Sequence, residues 1–589
     1  MKVPRNNLKH ALFDNRFCIS NPNILPFVSS AGKVFVHELK VKDGGDMGEW
    51  LYAFAAKEIQ KYILQGNKLK DMVGGSELVN QMCGEFLTRS LNELGIDNSE
   101  YRIITQTAGW ARIQFNNGND AKRLYTVWPL LVDRFVPGLQ VVQSLVEING
   151  DINNAIEESE KKLRAERSLI QVGLPEIGPL IERNQRLGFA AVRYAKGEDE
   201  LQDRQTTRKR DYVGKRKNKS AMTTLVAKMS GAEDTEKQLQ YRWPDELDDI
   251  AGSEKKYIAV IHADGNDLGK TIRQLQEHVR SSPDKAIDVF KRFSEAISQA
   301  TESAAQEAYK RIIKPDYEDR AEVSKKPIFM AARPIVLGGD DLTLIIRADL
   351  AFKFTRVFME AFEASSKEAL EKELGGFNIA GLPEKLTSCA GIAFIKKAYP
   401  FSRAYELAES LCAFAKSRAK EKDNKDKDGF VPSSFAFYKV ATSVAGSYSL
   451  IRETELTSKD SSEALQIKLW HGPYTVGSHD VNLVSYDDLV TLAGTLSKLP
   501  SGSIRTLITT VYTSALKAQT DFDRILQVAG STGKKEIADK FKAQLIKITG
   551  NTTNPLWNEN GNSPLLDAYR IRELSDDTVL VSGGNNGKS

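Results

Sequence analysis

Apolar positions along this chain fall into short runs, and the period of each run predicts an element. Glu49–Leu64 (EWLYAFAAKEIQKYIL) has helix-like spacing. Gly74–Glu77 reads as a turn and helix N-cap with an acid favourable to the helix dipole, and Leu78–Leu94 continues as a helix. Tyr101–Gln106 and Trp110–Phe115 are strand-like, joined through Ala108-Gly109. Val141–Arg167 is a long charged helical stretch, and a short strand falls at Lys33–Val41.

From Lys255 the pattern sharpens. Tyr257–Ile261 (YIAVI) is a β-branched apolar run of the kind that forms a buried strand. It ends at His262-Ala263-Asp264-Gly265-Asn266-Asp267, and a helix starts near Leu268. A second helix covers Ala286–Ile312. Pro334–Leu337, Gly338-Gly339-Asp340-Asp341 and Leu342–Arg347 then read as strand, tight turn and strand. A helix at Leu350–Leu374, a strand at Thr387–Ile395, a helix at Ser402–Lys420 and a strand at Ser434–Tyr438 complete the order βααββαβαβ. A charged loop, Glu421–Gly429, precedes the last of these strands. Beyond Ser447 the pattern is mostly helical, with Tyr486–Leu499, Ile504–Gln519 and Lys534–Ile548. The tail 582–589 is rich in Gly, Asn and Ser, a composition that frays.

Composition narrows the class. The chain has 589 residues, of which 82 are basic and 78 acidic, for a net charge of +4. That length suggests about four domains, and the charge balance excludes a polycation. Four cysteines without a CxxC pair argue against a disulfide scaffold or a four-cysteine zinc module. The polar N-terminus and the lack of a long apolar run point to a cytoplasmic protein with no membrane span. Basic residues crowd 197–220: Arg204, Arg208, Lys209, Arg210, Lys215, Arg216, Lys217 and Lys219. A solvated linker is the first reading of this segment, and an arm that meets RNA phosphates is the second.

The chemistry sits in the middle of the chain. Asp264 ends a strand, and Asp340 and Asp341 occupy a hairpin tip. If those strands are neighbours, three carboxylates converge and repel one another. A hard cation such as Mg²⁺ or Mn²⁺ relieves that repulsion and takes substrate phosphates as further ligands. Two such ions suit an in-line displacement of pyrophosphate. Gly338 and Gly339 permit a tight turn, and the Gly265–Gly269 turn, which includes Asn266 and Asp267, offers backbone N–H groups to phosphates. An isolated Gly-Gly-Asp-Asp is usually only a turn. The combination with a strand-ending Asp in one βααβ unit gives the order of a nucleotidyl-transferring palm.

AVIHADGNDLGK, IVLGGDDLTLII and SCAGIAFIKKAYPFSRAYELAESLCAFAK together resemble the palm shared by diguanylate cyclases and the large polymerase-cyclase subunit of type III CRISPR effector complexes. Gly338-Gly339-Asp340-Asp341-Leu342 has the CRISPR subunit's form of the hairpin. AAKEIQKYILQGNKLKDMVGGSELVNQM and TAGWARIQF resemble that subunit's first palm. The resemblance implies an α/β (α+β) fold with two ferredoxin-like palms, a helical insertion and a helical C-terminal domain. Its boundaries would be 1–150, 151–252, 253–446 and 447–589. It implies conversion of ATP to cyclic oligoadenylates, with Asp264, Asp340 and Asp341 as catalytic and metal-binding acids and the Gly265 carbonyl as a further metal ligand. Lys416 matches a basic position near the triphosphate. CRISPR RNA, target RNA and the complex's backbone subunits are the implied partners.

Thr107-Ala108-Gly109-Trp110 stands where the first palm would carry an acidic hairpin, and it has no carboxylate. By resemblance this palm holds a second nucleotide without catalytic metals. Ser76 either contacts that nucleotide or caps a helix. Two departures from the family stand out. About 45 residues precede the first palm, too few for the N-terminal His-Asp nuclease domain that many members carry. The segment 150–250 also lacks the cysteines of a zinc site. His479-Asp480 reads as a turn, and His262 as a packing residue rather than a base. Two alternatives stay open: a stand-alone signalling cyclase making another cyclic nucleotide, and a catalytically silent ribonucleoprotein scaffold.

Overall fold

The computed structural model describes residues 24–28, 34–38, 48–66, 68–107, 109–169, 178, 180–195, 200–214, 224–231, 241–251, 257–280, 285–325, 327–425, 429–441, 446–458, 466–477 and 481–575. His479-Asp480, Lys215–Lys219 and the Gly-rich tail lie outside them. The fold mixes helices and strands and ends in a helical C-terminal region.

Two βαββαβ units make the centre. A hairpin of β1 (Ile24–Val28) and β2 (Val34–Glu38) precedes them. The first unit contains β3 (Trp50–Ala56), β4 (Tyr101–Thr107), β5 (Trp110–Phe115) and β6 (Val141–Glu147), in the sheet order β4-β5-β3-β6. A short hairpin, β7 (Ala191–Tyr194) with β8 (Leu201–Asp203), follows. The second unit contains β9 (Tyr257–Gly265), β10 (Ala332–Gly338), β11 (Asp341–Arg347) and β12 (Ser388–Lys396). Its order, β10-β11-β9-β12, repeats that of the first. It is then extended by β13 (Ser434–Lys439), parallel to β12, and by β14 (Tyr474–Thr475). Each four-stranded core is a ferredoxin-like sheet, antiparallel throughout.

Both central strands are apolar on both faces because helices cover both faces. In the second unit Phe352, from the helix Ala348–Leu374, packs on Phe394 at 5.0 Å and Phe437 at 4.9 Å. The opposite face takes the helix Phe401–Ala419 at very close range. A Cβ on Gly391 of β12 would lie 1.9 Å from the Ala408 carbonyl oxygen, so only glycine fits. In the first unit Phe54 packs on Trp128 (4.8 Å) on one face. On the other, Ala53 and Ala55 pack with Leu163 of the helix Ile152–Ser168.

Two expectations for the first unit are corrected. Glu49–Leu64 is not one helix but β3 followed by the helix Ile59–Leu64, because a strand buried on both faces shows no alternation to read. Val141–Arg167 likewise begins as β6, whose alternate residues Val142, Ser144 and Val146 are buried, and only then becomes the helix Ile152–Ser168. Gly74–Glu77 is not a turn either. It lies inside the helix Leu69–Gln81. Its glycine admits another helix, since a Cβ on Gly74 would stand 2.2 Å from the Lys209 carbonyl oxygen.

That neighbouring helix, Arg204–Gly214, is the described part of the basic segment, and it is neither a solvated linker nor an arm. Lys209 is buried, with its ammonium 4.0 Å above the Tyr62 ring. Arg210 pairs with Asp71 and Glu200. Only Arg204 faces solvent freely enough to bond the surface residue Asp133.

The strands predicted at Tyr101–Gln106, Trp110–Phe115, Pro334–Leu337, Leu342–Arg347, Thr387–Ile395 and Ser434–Tyr438 stand within two residues of their predicted bounds, while β9 runs four residues beyond the predicted Ile261, to Gly265. Lys314–Val323 is an additional helix. The C-terminal stretch Ile504–Gln519 is divided at Ser514, whose hydroxyl caps Ala515–Ser531 by accepting from the Lys517 N–H. Arg452 ties this region to the second unit by lying over Phe414 (4.4 Å) and Trp470 (4.9 Å). Among the described residues, no helix is long and apolar enough to cross a membrane.

Candidate active site

β9 and β11 are adjacent and antiparallel, with Leu342 opposite Ala263. One step further along that ladder brings Asp341 beside Asp264, and the turn Gly339-Asp340 places Asp340 over the same point. The carboxylates of Asp264, Asp340 and Asp341 each offer an oxygen, all within 4.8 Å of one another. Gly339 takes φ +61°, which glycine adopts without strain. Gly265 leaves room for Asp340, because a Cβ there would meet the Asp340 side chain at 3.1 Å. Thr301, in the helix Ala286–Ala308, braces the turn by donating to the Gly339 carbonyl at 2.7 Å.

The electrostatics are those of a site built for a cation. Burial raises the Asp340 carboxyl, helped by its hydrogen bond to Asp264 and by the charge of Asp341. Burial, then the charge of Asp264, pushes Asp341 up to about 7. Burial also opposes ionisation of Asp264, but the Asp340 hydrogen bond and Lys416 outweigh it and hold this carboxyl low. Three hard oxygen donors that resist ionising together, around a glycine that a side chain would fill, fit a divalent cation such as Mg²⁺ or Mn²⁺.

Lys416, on the helix Phe401–Ala419, donates to the Asp264 carboxylate and to the Gly265 carbonyl (2.6 Å). The site therefore already has a cation beside its lowest-pKa acid, and the Gly265 carbonyl is engaged. Lys420 pairs with Asp267 at 3.0 Å. Asn266 turns inward: its N–H donates to the Thr387 carbonyl (2.8 Å) and its Nδ2 to the Thr387 hydroxyl (3.0 Å). It holds the turn to β12 and does not line the cavity. His262 is buried, 3.3 Å from the Thr343 hydroxyl and edge-on to Tyr405, and burial lowers its pKa. This is the packing position expected for it.

A cavity of about 740 Å³ opens beside the acids. Gly338, Gly339, Asp340 and Asp341 line it. Lys57, Glu58, Trp110, Arg112, Glu160 and Arg167, all from the first unit, line it too, together with the apolar Ile272, Phe290 and Phe293. Ser76 also lines the cavity, but its hydroxyl donates to the Ile335 carbonyl of β10 at 2.5 Å and so stitches the two units together. The structure thus gathers Asp264, Gly265, Gly338, Gly339, Asp340, Asp341 and Lys416 at one place. Asn266 and Asp267 belong to its supporting turn, and Ser76 to the seam.

Sequence patterns did not single out Thr301, Thr387, Lys420, Arg112 or Arg167. Thr301 and Thr387 carry no local signal, since their partners are distant in the chain. Arg167 could have been found by aligning the two units, since it holds the same position in the helix Ile152–Ser168 as Lys416 does in Phe401–Ala419.

Among solved structures, Csm1 in T. onnurineus is similar at a TM-score of 0.44 and 13% identity, over 92% of this chain and 70% of that one. A Csm1-Csm4 cassette in complex with cA4 is similar at a TM-score of 0.36 and 14% identity, over 63% of this chain and 53% of that one. Another in complex with pppApA gives 0.38 and 13%, over 65% and 56%. The match to the two cassettes spans little more than half of the matched chains' length. No curated protein matches the sequence. The acidic hairpin and the helix that carries Lys416 both lie within residues 257–428, the part of the chain that matches the family model of the Cas10/Cmr2 second palm domain.

Proposed function

We propose that this protein is a Cas10-like subunit of a type III CRISPR complex and a metal-dependent nucleotidyltransferase that converts ATP to cyclic oligoadenylates. The observation that carries the reading is the meeting of three carboxylates beside a cavity that both units line, with no acid at the hairpin tip of the first. The domain bounds 1–150, 151–252, 253–446 and 447–589 are part of the same proposal.

In the reaction, a 3′-hydroxyl oxygen forms a bond to an α-phosphorus, the α–β P–O bond breaks, and pyrophosphate leaves with its electron pair while the hydroxyl proton passes to solvent. Ring closure repeats this step with the 5′-triphosphate of the same oligomer. Asp264, Asp340 and Asp341 would hold Mg²⁺ or Mn²⁺, which supplies charge neutralisation for the transferring phosphoryl group and the leaving pyrophosphate. Lys416 adds a fixed positive charge beside Asp264 and keeps that carboxylate ionised. Gly338 and Gly339 leave the hairpin backbone open to phosphate, and Thr301 keeps the turn in place. The apolar walls and Trp110 give bases a surface on which to stack. A single cavity lined by both units suits bringing donor and acceptor together.

Incubation of the purified chain with labelled ATP and Mg²⁺ or Mn²⁺, with and without co-purified CRISPR RNA and target RNA, tests this by mass spectrometry. Cyclic oligoadenylates are expected. A different cyclic nucleotide made without RNA would favour a stand-alone cyclase, and no turnover under any of these conditions would favour a scaffold.

A further inference from the structure

Asp264 and Asp341 stand on one face of the second sheet, and that face carries another side-chain pair beside them. His262 and Thr343 are opposite each other on β9 and β11, two residues along from Asp264 and Asp341. Alternate residues of a strand share a face, so all four side chains lie on the side of the helix Phe401–Ala419. The contacts of that helix agree. Lys416 reaches Asp264, and Tyr405 lies edge-on to His262 with ring centres 5.4 Å apart.

Tyr405 is 4% exposed. Its hydroxyl is buried and has no hydrogen-bond partner among the described residues. A buried O–H without an acceptor has lost its bonds to water and gained nothing in exchange. This hydroxyl lies within electrostatic reach of the acids: burial, then the charges of Glu409, Asp341 and Asp264, raise its pKa. It therefore stays protonated and able to donate.

Of the acids on this face, Asp341 has the capacity to accept. Asp264 already takes Lys416 and shares a hydrogen bond with Asp340. Among the described residues no side chain donates to Asp341. A carboxylate has two oxygens, and one given to a cation leaves the other to accept.

We propose that Tyr405 is a positioning residue for the cation: its O–H donates to the Asp341 oxygen that the bound ion leaves free, and so fixes that carboxylate as a ligand. The inference rests on the reading that the three acids hold a divalent cation. It adds a buried residue, outside the acidic motif, that orients one of them. Hydrogen bonds of this kind set how firmly a ligand is held on its metal.

The test is titration of the full chain with Mn²⁺, without nucleotide, followed by electron paramagnetic resonance. The wild type is expected to bind. Tyr405→Phe keeps the ring against His262 and removes only the hydroxyl. It is expected to weaken Mn²⁺ binding by about ten- to a hundredfold. Its melting temperature in EDTA should be no lower than that of the wild type, because the hydroxyl has no partner to lose there. Glu409, one turn further along the same helix, is the competing acceptor, so the Phe effect should persist undiminished in a Glu409→Gln background. Equal Mn²⁺ affinity in wild type and Tyr405→Phe overturns the proposal, as does a wild type that binds no Mn²⁺. A melting temperature in EDTA that falls in Tyr405→Phe overturns it too, since the hydroxyl would then serve the fold. Loss of the effect in Glu409→Gln overturns it by assigning the bond to Glu409. The measurement is independent of turnover. A chain that binds Mn²⁺ with the help of Tyr405 but makes no oligoadenylate would retire the proposed activity and leave the positioning role standing.

Discussion

The two palms share one topology and differ at the three positions where chemistry would occur. Thr107 faces Trp110 across one hairpin and Gly338 faces Asp341 across the other. Carrying that register through, Gly109 stands where the second palm has Asp340, Trp110 where it has Asp341, and Ala55 where it has Asp264. The apolar replacements are built in. Gly109 has φ +84°, and a Cβ there would lie 2.2 Å from the Ile59 side chain. An acid cannot simply be restored. The comparison teaches that the scaffold supplies an opposed pair of hairpins, while the side chains at their tips decide which one can hold a cation.

The largest expected effect comes from removing the difference. Asp340→Ala with Asp341→Ala is expected to lower oligoadenylate synthesis by at least about a thousandfold, as loss of transition-state charge stabilisation does. The fold should persist, because both acids sit at a hairpin tip. Product analysis and thermal melting in EDTA would check this, and undiminished product would sink the metal assignment.

Close helix approach can be broken in either palm. Gly391→Ala and Gly74→Ala each force a side chain against backbone, and each is expected to destabilise the chain by about 1–3 kcal/mol in denaturant titration. Only Gly391→Ala should also weaken Mn²⁺ binding, because it displaces the helix that carries Lys416. Equal loss of Mn²⁺ affinity in both variants would mean that the metal site depends on the pair of palms as a whole.

A carboxylate placed in the first palm sharpens the contrast further. Gly109→Asp is expected to cost about 1–2 kcal/mol from backbone strain alone and to leave the number of bound Mn²⁺ ions unchanged by electron paramagnetic resonance. Additional bound Mn²⁺ would show that a single acid suffices to convert the first palm.

The smallest effect is one of pH. Burial and the charge of Asp264 push the Asp341 carboxyl up to about 7, and burial raises Asp340 as well. Between the unfolded carboxyl range and pH 7, the folded chain binds more protons than the unfolded one. Metal-free stability is therefore greatest at low pH, as far as these two groups are concerned, and falls as pH rises towards 7. A drop of several degrees in melting temperature from pH 5 to pH 7.5 in EDTA is expected, flattened by Mg²⁺ and absent in Asp340→Ala with Asp341→Ala. A slope that survives in the double variant must come from other groups.

Much of the second palm was legible because its signals are local. β9 ends at Asp264 after a β-branched run, and the Gly-Gly-Asp-Asp turn sits between two apolar runs, so strand, turn and acids can be read without partners. The first palm was harder. β3 is apolar on both faces and imitates a helix, and Gly74-Gly75 imitates a turn although it marks a packing contact with a helix more than 130 residues away in the chain. The basic segment misled for the same reason. Charge predicts exposure, but Lys209 and Arg210 are drawn inward by Tyr62, Asp71 and Glu200.

The sequence by itself determined the acids, their hairpin and the order of elements in the second palm, because turn chemistry and apolar runs act between neighbours in the chain. Tertiary structure alone decided that Lys416 reaches Asp264 across 152 residues, that Thr301 braces Gly339, and that Arg112 and Arg167 line the same cavity as Asp340 and Asp341. Those relations arise only when two sheets and their covering helices are packed together. Burial then shifts each charge according to its neighbours in space, and no pattern along the chain records those neighbours.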